Sequence, residues 1–277
     1  MKTRYYVPPI VGVLRYKSDA VVVRARRPAR AVFSPRSPVA EFSLQSRRRL
    51  AFVAANTDVV FKTMVTLTYP REYPSDGVLV KTQLKTFLKF ARRQLFAQAN
   101  GAMESEYLWF LEFQARGAPH IHLLLAAELP RQFYLVRELR DRIAAAWYRI
   151  VGSDDERHLR AGTRCERIRV KDGGIRYAVK YAYKMRQKKV PLEYQNVGRF
   201  WGHSRGVKPT VREVVPCLED DVRGVLETWP YKPAVDRPVY RVLYGASSLF
   251  EGPRGVLGTY YDTARDHWYR GTAHPVP

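Results

Sequence analysis

Hydrophobic positions in the middle of the chain change period several times. Val59 to Tyr69 (VVFKTMVTLTY) is rich in β-branched residues and stops at Pro70, which predicts a strand. From Val80 to Gln98, Leu84, Phe87, Leu88, Phe90, Ala91 and Leu95 recur at helical spacing. Tyr107 to Gln114 (YLWFLEFQ) and His120 to Ala126 (HIHLLLA) read as two strands. Between them Arg116-Gly117-Ala118-Pro119 makes a tight turn, so the pair predicts a β-hairpin. Arg131 to Val151 is an amphipathic helix and Arg164 to Val170 alternates as a strand. Gly173-Gly174 is a break, and Ile175 to Gln187 is a further helix.

The order β-α-β-β-α-β-α predicts an α+β fold, a split βαβ, ferredoxin-like sandwich with a central antiparallel sheet and helices on one face. Residues 1–50 hold twelve Lys and Arg against Asp19 and Glu41, with Arg26-Arg27-Pro28, Ser34-Pro35-Arg36-Ser37-Pro38 and Arg47-Arg48-Arg49. The expected division is therefore a basic N-terminal arm over 1–58 with little core of its own, a central domain over 59–205 that holds the regular elements, and a C-terminal extension over 206–277. The arm reads either as a clamp on phosphates or as a solvated tail. The extension, with Trp229-Pro230 and Tyr260-Tyr261, shows aromatics and turns but no assembled pattern.

Composition narrows the partners. Of 277 residues, 48 are Lys or Arg and 26 Asp or Glu, a net charge of +22, so polyanions are the natural ligands. Hydrophobic residues at 46% permit a packed core and exclude a wholly disordered chain. Cys165 and Cys217 are too few for a disulfide framework, which fits a reducing cytoplasm. No run approaches the roughly 18 apolar residues that span a bilayer, so no membrane partner is expected. There is no G-x-x-x-x-G-K-[ST] loop to hold ATP.

Two constellations carry chemistry. On a strand, His120 and His122 face the same way, and Glu112 lies on the partner strand across the turn. Two imidazoles and a carboxylate form a divalent-metal clamp with open positions, suited to Mn²⁺ or Mg²⁺ beside a phosphate. Alone, a His-x-His pair is equally two half-exposed strand residues. Gln114 shares the face of Glu112, as a further ligand, a supporting donor or a surface residue. On the last helix Tyr177, Lys180, Tyr181 and Lys184 fall on one stripe, with Tyr183 turned away. A phenol attacks poorly at neutral pH unless a cation polarises the phosphate and positive charge neutralises the transition state. Two lysines on the stripe argue against a purely buried face.

Together these motifs resemble the HUH endonucleases, and within them the two-tyrosine rolling-circle replication initiators of filamentous and related single-stranded-DNA phages and their plasmid kin. The resemblance runs over about residues 60–205: Val65-Thr-Leu-Thr68-Tyr69-Pro70, then His120-Ile121-His122, then Tyr177-x-x-x-Tyr181 with Lys180, then Gly198-Arg199-Phe200-Trp201-Gly202. It implies metal ligation by Glu112, His120 and His122, nucleophilic roles for Tyr177 and Tyr181, and phosphate contact by Lys180 and Lys184. The implied reaction nicks and rejoins origin DNA through a 5′-phosphotyrosine link and releases a 3′-OH primer. A host helicase and the host replication machinery are the implied partners, in a bacterial cytoplasm. A relaxase or single-strand transposase shares the chemistry, but relaxases usually carry the nucleophile before the histidines. A non-catalytic nucleic-acid-binding module has no need of the metal hairpin.

His158, His203, His267 and His274 are scattered and read as surface or loop residues. Phe200 and Trp201 pack the sheet or stack on bases, with packing favoured. Thr66 and Thr68 are expected to support the metal site rather than ligate.

Overall fold

The computed structural model describes residues 10–23, 41–94, 105–170, 173–183, 190–228, 235–237, 240–250, 259–262 and 267–270. The chain forms two units, residues 1–34 with 209–277, and residues 35–208. This departs from the boundaries expected from charge. The first strands, β1 (Ile10–Arg15) and β2 (Ala20–Val23), are joined by a turn in which Tyr16 N donates to Asp19 O at 2.9 Å. Their Val11, Val13, Ala20 and Val22 need a covering partner, and C-terminal residues supply it. The segment from Phe42 belongs instead to the second unit. There α1 (Leu44–Asn56), capped by Ser43 Oγ accepting from Ser46 N, buries Leu50, Ala51, Val53 and Ala54.

The second unit follows the expected order closely. β3 (Thr63–Thr68) begins four residues later than its β-branched run, and α2 (Gly77–Gln94) begins three earlier than its apolar stripe. The start of α2 is set by Asp76, whose carboxylate accepts from Val78 N and Leu79 N at 3.0 and 3.1 Å. β4 (Tyr107–Phe113) and β5 (Pro119–Leu125) form the hairpin. Its turn closes through Gln114 N to Ala118 O at 2.9 Å, with Gly117 at φ +85°, a value only glycine adopts cheaply. α3 (Phe133–Val151) ends on Gly152 in the left-handed region, and α4 (Glu156–Ala161) precedes β6 (Thr163–Arg167). α5 (Gly173–Tyr183) starts on the two glycines expected to break the chain, and β7 (Trp201–His203) ends the sheet.

The sheet order is β6-β3-β5-β4-β7, every neighbour antiparallel. Side chains alternate between its faces. Val65, Leu67, Ile121, Leu123 and Cys165 point to the side of α2 and α3, where Phe87 and Trp147 are buried. Trp109 on this side carries Lys81 of α2 over its ring at 3.8 Å. The opposite face carries Thr66, Thr68, His120, His122, Phe110 and Glu112, and α1 and α5 lie over part of it. Helices therefore flank both faces rather than one. Phe200 stacks on Phe42 at 5.4 Å and Trp201 Nε1 donates to Ser46 Oγ, so both aromatics pack, as favoured from the sequence.

The C-terminal residues, unassembled in the sequence reading, complete the first unit. β8 (Glu213–Leu218), α6 (Glu219–Thr228), β9 (Val235–Arg237) and β10 (Tyr240–Leu243) follow, and the second sheet runs β8-β1-β2-β10-β9. Cys217, Val222, Leu243 and Phe250 fill its core. β11 (Thr259–Asp262) and β12 (His267–Arg270) make a separate antiparallel pair. Among the described residues no helix is long and apolar enough to cross a membrane.

Candidate active site

β5 lies between β3 and β4, and register sets the site. Thr68, His120 and Glu112 face one another on one rung, and Thr66, His122 and Phe110 on the next. Three candidate ligands thus share one face, as the two-residue period requires. His120 and His122 have ring centroids 4.6 Å apart, and His122 Nε2 lies 3.6 Å from Glu112 Oε2. His122 is 2% exposed, whereas His120 and Glu112 open partly to solvent.

The other ends of both rings are held by hydroxyls: Thr66 Oγ1 is 3.2 Å from His122 Nδ1, and Thr68 Oγ1 3.1 Å from His120 Nδ1. Where the His122 Nδ1–H donates to Thr66, its Nε2 keeps a lone pair on the side of Glu112, 3.6 Å away. Two imidazoles and a carboxylate are donors of the kind a divalent ion takes. As placed, no three His, Cys, Asp or Glu side chains among the described residues come together as a metal site, so the metal reading rests on donor chemistry alone. Gln114 Nε2 lies 3.4 Å from His120 Nδ1, and its Oε1 accepts from Arg116 Nε at 2.9 Å.

The tyrosine helix stands over this face. The Tyr177 ring is 5.7 Å from His122 and 6.1 Å from Phe110, and it is half-buried. Lys180, one turn on, is exposed. Tyr181 has its backbone in α5, but its side chain, like all of Lys184, lies outside the described residues. α5 approaches closely because its first residues are glycines: a Cβ on Gly174 would meet Phe61 Cβ at 2.8 Å.

Residues that sequence reasoning passed over brace the site. Arg116 in the hairpin turn donates through Nη2 to Tyr69 O and through Nη1 to Pro70 O, both at 2.7 Å, tying the end of β3 to the hairpin. His158, expected on the surface, is buried on α4, with Nε2 2.9 Å from Thr68 O. Trp147 Nε1 donates to the same carbonyl at 2.8 Å, so the backbone beside His120 is held from below. Burial outweighs Thr68 and Asp155 and lowers the His158 pKa. Neither role shows in spacing, because each depends on helices brought in from elsewhere. His203 is exposed on β7; the side chain of His267 and all of His274 lie outside the described residues. Cys165 and Cys217 are buried free thiols pushed up to about 12, chiefly by burial.

An antiparallel α+β domain with paired imidazoles, a carboxylate and an overhanging phenol is an arrangement suited to phosphate chemistry. Residues 62–186, which contain all of these groups, match the family model of the replication-associated protein ORF2. That similarity supports a protein of the replication-initiator type. No curated protein and no solved structure matches the chain.

Proposed function

We propose that residues 35–208 form a ferredoxin-like domain of the HUH endonuclease type, which starts rolling-circle replication by nicking and rejoining single-stranded origin DNA. The strand order β6-β3-β5-β4, with two interleaved β-α-β crossings, supports that fold. The observation that carries the chemistry is the 5.7 Å approach of the Tyr177 ring to His122, on the face shared with His120 and Glu112.

In this reading Tyr177 Oη attacks the phosphorus of a scissile phosphodiester. The bond to the 3′ oxygen breaks, that oxygen takes a proton and leaves as a 3′-OH primer, and a 5′-phosphotyrosine link remains. Glu112, His120 and His122 would hold Mn²⁺ or Mg²⁺, which supplies polarisation of the phosphate. Lys180, and by spacing Lys184, offer positive charge to the same phosphate. Tyr181, four residues on, is the second nucleophile, able to cut the regenerated origin so that the new 3′-OH resolves the first link. The bond energy is kept in the phosphotyrosine, and unwinding falls to a host helicase.

Incubation with end-labelled single-stranded origin DNA and Mn²⁺, followed by a denaturing gel, tests this. The expected product is a chelator-sensitive protein–DNA adduct, lost in Tyr177→Phe/Tyr181→Phe and retained in part by either single variant. Adduct formation that persists in the double variant, or is indifferent to chelator, overturns the assignment.

A further inference from the structure

β7 is an edge strand, and beside it the surface folds inward. A cleft of about 480 Å³ is lined by Ser46, Arg49, Trp109, Arg199, Trp201 and His203. Its wall is an aromatic platform. Trp201 is buried and pinned by its hydrogen bond of 3.0 Å to Ser46 Oγ. The rings of Trp201 and His203 are stacked, with centroids 5.7 Å apart and planes 27° from parallel. His203 is exposed, and its Nδ1 lies 2.7 Å from Ser204 O. An imidazole is thus presented to solvent with its orientation already set, so a planar base laid against it loses little further freedom.

The rim is cationic. Arg49 on α1 and Arg199 before β7 are both exposed. Lys81 Nζ donates to Arg199 O at 2.7 Å and anchors the backbone that carries this guanidinium. The acid on the adjoining loop, Glu106, is engaged by Ser204 Oγ and by Gly206 N. Among the described residues no acidic side chain lines the cleft. Its position ties it to the site: Trp201 pairs with Phe110 across β7 and β4, and the Phe110 ring stacks on His122 at 5.1 Å. The Trp201 and His203 wall therefore lies on the histidine face, two strands away and roughly 10 Å by strand spacing, while Trp109 lines the cleft around the sheet edge from the other face.

We propose that this cleft holds one nucleotide of the single strand flanking the cleavage position, with its base stacked on His203 and its phosphates between Arg49 and Arg199. The assignment rests on the nicking function and adds the path of the strand. Stacking needs an unpaired base, so a duplex cannot use the platform.

The test is fluorescence anisotropy of a labelled single-stranded 20-mer bound to the full chain in EDTA, alongside adduct formation in Mn²⁺. All three side chains are exposed, so the folded state tolerates their replacement, and circular dichroism checks this. His203→Ala is expected to weaken binding about tenfold, and to leave binding of the same oligonucleotide as a duplex unchanged. Arg49→Ala/Arg199→Ala is expected to lower the slope of log K against log salt by about 1.4. Wild-type affinity and slope in both variants, with the wild-type protein forming adduct, overturn the cleft alone. A wild-type protein that neither prefers the single strand nor forms adduct overturns the nicking function with it.

Discussion

At the scale of single residues, the groups that matter most are those that fix others. Thr66 and Thr68 each meet one Nδ1, and outer-sphere partners of this kind are worth about 10–100-fold in metal affinity. Thr66→Val or Thr68→Val should weaken Mn²⁺ binding by that order in calorimetry, with metal-free melting lowered more by Thr66→Val, which strips a hydrogen bond from the buried His122, than by Thr68→Val beside the partly exposed His120. Lys81 offers a pH test. Burial first, then Lys85 and Arg199, lower it from 10.5 to about 7, while the Trp109 ring face favours the charged form. Between pH 7 and 10.5 the unfolded chain binds a proton that the folded one lacks, so this group makes stability rise with pH across that window. Below it both states are protonated and the folded state bears the whole cost of the buried charge. Urea unfolding of Lys81→Met should accordingly show a flatter rise over the window than wild type. Equal slopes would remove Lys81 as the cause.

At the scale of elements, the placement of α5 decides whether a phenol reaches the histidines. Gly174 lets the helix start against Phe61, and a methyl group there forces the two backbones apart. Gly174→Ala is expected to cost about 1–3 kcal/mol of stability and to reduce adduct formation more than DNA binding. Thermal melts, anisotropy and adduct gels separate these, and an unchanged adduct yield would show that the helix position is not critical. The elements themselves were largely legible: β3 to α5 follow the periods of their apolar residues, because each buries one stripe or face in a common core. Helix starts were less so. The start of α2 depends on the Asp76 carboxylate, and α5 begins on glycines that read as a break. Those glycines serve close packing, which spacing does not reveal.

For the whole molecule, charge and topology say different things. A net charge of +22, with Arg47, Arg48 and Arg49 on α1, predicts binding dominated by phosphates. If about five are neutralised on a single strand, the slope of log K against log salt is about −3.5, and affinity falls about a hundredfold between about 50 and 200 mM salt. A flat response would exclude the polyanion partner. Topology overrode the charge map: the segment read as an arm is split between two units, because β1 and β2 pair with β8 and β10.

By itself the sequence determined what is local or periodic. The alternation that puts His120 and His122 on one side of a strand, the turn that sets Glu112 opposite, and the helical spacing of Tyr177 and Tyr181 all follow from repeat geometry. Only the tertiary structure decided what meets what: Thr66 and Thr68 against the imidazoles, His158 and Trp147 under the Thr68 carbonyl, Trp201 and His203 beside two arginines, and chain ends joined in one sheet. Except for Arg199 beside Trp201 and His203, these contacts join residues dozens to hundreds apart. Their partners are chosen by which faces must be covered, and no local period encodes that choice.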